Sequence, residues 1–233
     1  MSNSLPHDTT SGVLWRRNPA LVQLLGLSPL LAVTTSVVTA LGLGLATLAV
    51  FTAASVTISL LHRRLNDALR LPLILLVNAT FATCIGLMLQ VWSLHLYQAL
   101  GLYVPLIAAN SLLLVHVDSI ASERPLLTAT AAGLLTGFGY LLVLLVFGAL
   151  RELLGTGAVF ANMEQLLPFA ASWKLQIFTA ESPFLLVLLP PGAFLLLGFL
   201  VALKNVIDRQ LARPVANETS MPGGKRVRVT GKI

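Results

Sequence analysis

The sequence predicts an all-α membrane protein: six transmembrane helices in a 3+3 inverted repeat, with an interrupted helix opening each half. Three observations carry this reading. Hydrophobic residues make up 56% of the 233 positions and charged residues only 10%, against about 25% charged in ordinary soluble domains. The apolar residues gather into runs of membrane-crossing length. The basic residues fall in short clusters between those runs. A soluble chain of this length needs a charged shell that this composition cannot supply, and a disordered chain would be far less apolar. The net charge is +6, yet no basic patch with interleaved aromatics forms, so nucleic acid is excluded as a partner. The single cysteine, Cys84, excludes a disulfide framework and any zinc or iron-sulfur site made from this chain's thiolates alone.

The elements follow in order. Residues 1–19 carry Asp8, Arg16 and Arg17. They lack an apolar core ending in a small-residue cleavage site, so they read as a cytoplasmic N-terminal segment and not as a signal peptide. Residues 20–203 form the transmembrane domain. About 20 apolar residues are needed to cross about 30 Å of hydrocarbon. Runs at 37–61, 71–93, 126–150 and 184–203 meet that length, while 20–33 and 103–117 are short. A long periplasmic loop occupies 151–183, where Phe160, Met163, Leu166, Leu167, Phe169 and Trp173 suggest an amphipathic surface helix. The tail 204–233 is basic and cytoplasmic, and suits anionic lipid headgroups.

Orientation comes from Lys and Arg. With six crossings and the N-terminus inside, 13 of the 15 basic residues lie on the cytoplasmic side, leaving Arg151 and Lys174 outside. Adding or removing a span breaks this split. Trp92, Tyr97, Tyr103 and Trp173 then fall near the outer boundary, as interfacial aromatics do.

The two short segments share a pattern. The first contains Gly26-Leu27-Ser28-Pro29, and Pro29 is expected to end or kink a helix. Thr34, Thr35 and Ser36 follow and can satisfy freed backbone groups. The second contains Ala109-Asn110-Ser111. Ser28 and Ser111, 83 positions apart, each sit mid-segment. Interrupted helices at matching places in inverted repeats usually flank a site near the bilayer midplane; two short kinked helices are the plainer reading. Beyond them, His116 and Asp118 read either as interfacial polar residues or as part of an ion or proton path. Asn78, Thr80 and Gln90 read as interhelical hydrogen bonds, Gly133 and Gly137 as close helix packing, and Cys84 as a small buried residue. No nucleotide loop, zinc motif or hydrolase triad appears, so the chain is not a complete enzyme by itself.

Three stretches carry a family resemblance. They are Leu24-Leu25-Gly26-Leu27-Ser28-Pro29-Leu30-Leu31-Ala32-Val33, Leu150-Arg151-Glu152-Leu153-Leu154-Gly155-Thr156-Gly157, and Ser182-Pro183-Phe184-Leu185-Leu186 running into Leu189-Pro190-Pro191-Gly192-Ala193-Phe194. Over residues 18–208 the chain resembles the NqrD/RnfE family, which holds the E subunit of the Rnf (Rsx) ion-translocating oxidoreductase and the D subunit of the sodium-pumping quinone reductase.

The resemblance implies an inner-membrane subunit with both termini cytoplasmic. It implies a complex that couples electron transfer between ferredoxin and NAD to ion translocation. The partners it implies are a homologous RnfA-type subunit of opposite topology, together with RnfB, RnfC, RnfD and RnfG. It also implies an iron or [2Fe–2S] centre shared with RnfA, two cysteines coming from each of the pair. Those cysteines fall at positions 28 and 111, where this chain has Ser28 and Ser111. A hydroxyl is a harder and far less acidic ligand than a thiol of pKa about 8.5, so ligation by this chain is weakened at its source. The family's Gly-Arg-Ala-Glu stretch reads here Val115-His116-Val117-Asp118. A free-standing secondary transporter with inverted repeats is the rival reading from another functional class.

Overall fold

A computed structural model describes residues 22, 24–61, 66–101, 103–118, 126–161, 163, 166, 175–177 and 185–211. Nine α-helices lie among them: α1 Leu27–Val33, α2 Val37–Leu61, α3 Asp67–Trp92, α4 Leu94–Leu100, α5 Tyr103–Leu106, α6 Ser111–His116, α7 Leu126–Thr156, α8 Leu185–Leu188 and α9 Pro190–Leu211. A 3-10 turn, Ile107–Ala109, joins α5 towards α6. Two short strands, β1 Ala158–Val159 and β2 Leu175–Gln176, pair antiparallel with Ala158 opposite Gln176.

Four helices are long and apolar enough to cross a membrane: α2, α3, α7 and α9. The bent pair α4 with α5–α6, angled at 61°, makes a fifth if it counts as one span. α1, at seven residues, is far too short to cross alone. The basic clusters at Arg16, Arg17, Arg63, Arg64, Arg124 and beyond position 211 lie outside the described residues.

The central pair is α2 against α7, antiparallel, packed through glycine. A Cβ on Gly133 would lie 2.8 Å from Ser55 Oγ; on Gly137, 2.7 Å from Leu48 Cδ1; on Gly148, 2.8 Å from Ala40 Cβ. The partner numbers fall as the glycine numbers rise, which is the register of two antiparallel helices in close contact. Small residues let the backbones approach where lipid gives no hydrophobic drive to associate. Phe51, Leu43, Leu144 and Phe147 fill the space beside this seam. Several threonine hydroxyls within the spans bond back to their own helix, as Thr47 Oγ1 does to Leu43 O at 2.8 Å and Thr52 Oγ1 to Leu48 O at 2.8 Å, and so carry no unmet donor into the apolar interior. α3 and α9 are mostly uncovered, with Leu76, Met88 and Val91 on α3 and Phe194, Leu195 and Phe199 on α9 turned outward.

Several boundaries differ from the sequence reading, each for a physical reason. Pro29 does not end a helix. It lies in the first turn of α1, where its missing N–H would have no intrahelical acceptor. The break lies before it, at Gly26, which adopts φ +71°. α7 continues to Thr156, so residues 151–156, expected at the start of the outer loop, are helical and mostly enclosed. Phe160 has φ 63° and follows β1, so the expected surface helix does not begin there; Leu167, Phe169 and Trp173 lie outside the described residues. Cys84 is exposed on α3, not buried. Thr80 is also exposed and bonds its own helix at Leu76 O, and Gln90 is exposed as well. Asn78 is fully buried, but its amide has no hydrogen-bond partner among the described residues.

Candidate functional site at the two helix breaks

The two interruptions meet. Gly26, Leu27, Ser28 and Pro29 from the first, and Ala109, Asn110 and Ser111 from the second, line one cavity of about 180 Å³ together with Tyr103 and Leu106. The second break is built locally. The 3-10 turn closes with Asn110 N donating to Ile107 O at 3.1 Å. Asn110 then takes an extended conformation and caps α6, its Oδ1 accepting from Leu112 N at 3.0 Å. Asparagine suits this place because its short side chain reaches an orphan N–H two residues on.

The first break is held by other parts of the chain. Gly26 N donates to Ser111 Oγ at 3.2 Å, which ties the two interruptions directly. Gly26 O accepts from the Tyr140 hydroxyl of α7 at 2.8 Å. A Cβ at Gly26 would lie 3.0 Å from Asn110 Oδ1 and 3.1 Å from the Tyr140 hydroxyl oxygen. Only glycine fits both the space and the left-handed backbone.

The far end of α1 is held by α7 as well. Arg151 is 1% exposed. Its Nη1 donates to Leu31 O at 2.9 Å and to Thr34 Oγ1 at 3.2 Å. Its Nε donates to Val187 O at 3.0 Å and its Nη2 to Leu188 O at 2.6 Å. Both sets of carbonyls belong to helix ends, where the backbone lacks partners and carries negative partial charge. Glu152, 2% exposed, does the reverse. Its Oε2 accepts from Val37 N at the start of α2 and its Oε1 from Ala161 N, both at 2.7 Å. Ser36 and Thr39 complete the start of α2 with reciprocal side-chain to backbone bonds at 3.3 and 3.4 Å, a capping-box arrangement.

Of the residues singled out in the sequence, Ser28 and Ser111 come together at this cavity. His116 and Asp118 do not line it. The His116 ring sits 6.0 Å from that of Phe51, while Asp118 Oδ1 lies 2.6 Å from Arg70 Nε, joining the end of the second interruption to the start of α3. Tyr140 and the buried pairing of Arg151 with helix ends were missed. The signal for Arg151 and Glu152 was present, as an Arg-Glu doublet closing a 25-residue apolar run. Tyr140 had none beyond its place within that run.

The donor set decides what the cavity can hold. It offers two serine hydroxyls, a phenol and an amide. One hydroxyl oxygen already accepts a backbone N–H. The chain's one thiol is on α3, exposed and not among the lining residues. Among the described residues no group of three or more His, Cys, Asp or Glu could hold a metal ion. A [2Fe–2S] centre takes four ligands, usually thiolates, so these residues do not fit a thiolate share of one.

Comparison with known proteins agrees with this architecture. Residues 8–201 match the family described as Rnf-Nqr subunit, membrane protein. The chain is 50% identical over 225 residues to the E subunit of the ion-translocating oxidoreductase complex of Pseudomonas paraeruginosa, covering 94% of each chain. It is 46% identical to the corresponding E subunit of Cellvibrio japonicus, covering 100% of each, and 41% identical to that of Shewanella putrefaciens, covering 93% and 94%. A family match across most of the chain, relatives alike along nearly their whole length, and apolar helices of spanning size lead to one conclusion: this multi-pass membrane protein belongs to the Rnf-Nqr family of membrane subunits.

Proposed function

We propose that the chain is the E-type membrane subunit of an Rnf-type complex that couples electron transfer between ferredoxin and NAD to ion movement across the inner membrane. The observation that carries the reading is the convergence of two interrupted helices on one cavity, with Gly26 N–H bonded to Ser111 Oγ. Paired breaks of this kind supply polar backbone at membrane depth, which is tolerated only where protein or a water-lined cavity surrounds it. In this reading the segment before Gly26 completes a first crossing. The six crossings then form a 3+3 inverted repeat with both termini cytoplasmic. Ser28 and Ser111 are both exposed, and a homologous RnfA-type partner covers them. RnfB, RnfC, RnfD and RnfG complete the assembly.

The serines change the chemistry at that point. The partner's cysteines face two hydroxyls, and no all-thiolate [2Fe–2S] centre is shared across the interface. Iron analysis and electron paramagnetic resonance of the intact reduced complex test this. The expected result is that replacing Ser28 and Ser111 with alanine leaves iron content and spectrum unchanged. A signal lost in that double variant would show that serine oxygens do complete a cluster. Recovery of a stable, solute-binding chain free of partners would favour the transporter reading instead.

A further inference from the structure

We propose that Arg151 is a positioning residue for the Ser28 side of the cavity, with α7 acting as a ruler that holds α1 at both ends. The proposal rests on the reading of the Ser28–Ser111 cavity as the functional site. Tyr140 and Arg151 are eleven positions apart in α7. Eleven residues are just over three turns at 3.6 per turn, so both side chains leave one face, about 16 Å apart along the axis. Leu144, Phe147 and Gly148 continue that face and are buried. Phe147 lies under the guanidinium, 5.9 Å from its carbon. Tyr140 reaches Gly26 O at the start of α1, and Arg151 reaches Leu31 O and Thr34 Oγ1 at its end. A seven-residue helix has no stability of its own, so what its ends bind decides where it sits.

The arginine is used as a fork. Three different nitrogens serve four acceptors in two segments, α1 with the residue after it and α8. A lysine carries its donors on one nitrogen and cannot spread them this way. The neighbouring carboxylate does not compete for the guanidinium, because both oxygens of Glu152 accept backbone N–H groups. All the arginine's donors are therefore free for helix ends. Ser28 lies three residues, about one turn, before Leu31. The depth and rotation of Ser28 follow the guanidinium, whereas Ser111 stands on α6, held by its own asparagine cap. Leu31, Thr34 and Arg151 are all buried, so breaking the bonds to Leu31 and Thr34 leaves polar groups of that end without partners and frees α1.

Single-cysteine reporters in the membrane-embedded complex test the proposal. S28C and S111C are each placed in a C84S background, and labelling of this chain by N-ethylmaleimide is timed. R151Q and R151K are expected to speed labelling at S28C by about tenfold, through local opening, and to leave S111C within about twofold. An unchanged S28C rate overturns the proposal. So does an equal rise at both reporters, which would mean general loosening. A wild-type rate in R151K also overturns it, because charge alone would then suffice. Should neither variant assemble, T34V decides: it removes one acceptor of the guanidinium, together with that hydroxyl's own bond to Leu30 O, and keeps the arginine. A rise of about threefold confined to S28C is expected there, and no change or an equal rise at both sites overturns the proposal. Labelling reads position only, so a cavity with no part in electron transfer would leave this result intact and would show instead in the iron and resonance measurements.

Discussion

At Gly26 the backbone turns through φ +71° while two polar side chains close on the space a Cβ would fill. Replacing Gly26 with alanine forces a side chain into the left-handed region, at about 1–2 kcal/mol. It also pushes against Asn110 and Tyr140, the groups that hold the break. The melting temperature of the purified complex is expected to fall, and an unchanged value would mean that the break is held some other way. Asn110 and Ser111 serve the same junction from the other side, one by capping α6 and the other by accepting Gly26 N–H. A small polar side chain at position 111 is therefore part of how the fold holds this junction.

α9 shows at the scale of an element why a run such as Leu189-Pro190-Pro191-Gly192 is tolerated at the start of an apolar helix. Pro190 opens α9, and the carbonyls left at the end of α8 are taken by Arg151. A Cβ on Gly192 would fall 2.6 Å from Val187 Cα, against backbone that cannot swing aside. At Gly86 of α3 the nearest atom would be Val104 Cγ1 at 3.5 Å, an ordinary contact. Gly192→Ala is expected to prevent normal accumulation of the protein. Gly86→Ala is expected to be neutral or to stabilise by up to about 1 kcal/mol through helix propensity. Quantifying the two variants in isolated membranes checks the contrast, and equal loss in both would contradict it. Elements of this kind were legible to different degrees. α2 could be read end to end, because its apolar run is bounded by Thr34-Thr35-Ser36 and by His62-Arg63-Arg64. Pro29 was misread because proline looks alike at a helix end and in a first turn. Arg151 and Glu152 were assigned to a loop because a charged pair has no place in a lipid-facing helix. What admits them is the arrival of other helix ends: those of α1 and α2, over a hundred positions away along the chain, and that of α8, 36 and 37 positions away. Asn110 and the two serines were legible as a site because the interruption repeats. Tyr140 was not, since one hydroxyl in an apolar run takes its meaning from the carbonyl it meets.

For the molecule as a whole, the distribution of Lys and Arg predicts a topology that fusions can check. A fluorescent protein joined after Ile233 is expected to glow and a periplasm-dependent phosphatase there to stay inactive; the opposite pattern would remove the six-crossing arrangement. α3 and α9 leave most of their surface uncovered, so this chain presents them to lipid or to neighbouring subunits while α2 and α7 form its enclosed centre. α7 has a further consequence. Its 31 residues rise about 46 Å, against about 30 Å of hydrocarbon. Tilt alone would have to reach about 50° to hide that length, beyond the range of about 0–40° that membrane helices adopt. Part of α7 therefore stands beyond the hydrocarbon. A change in bilayer thickness would bear first on this projecting shaft. Because the shaft carries Tyr140 and Arg151, the load would arrive undiminished at the buried break around Gly26.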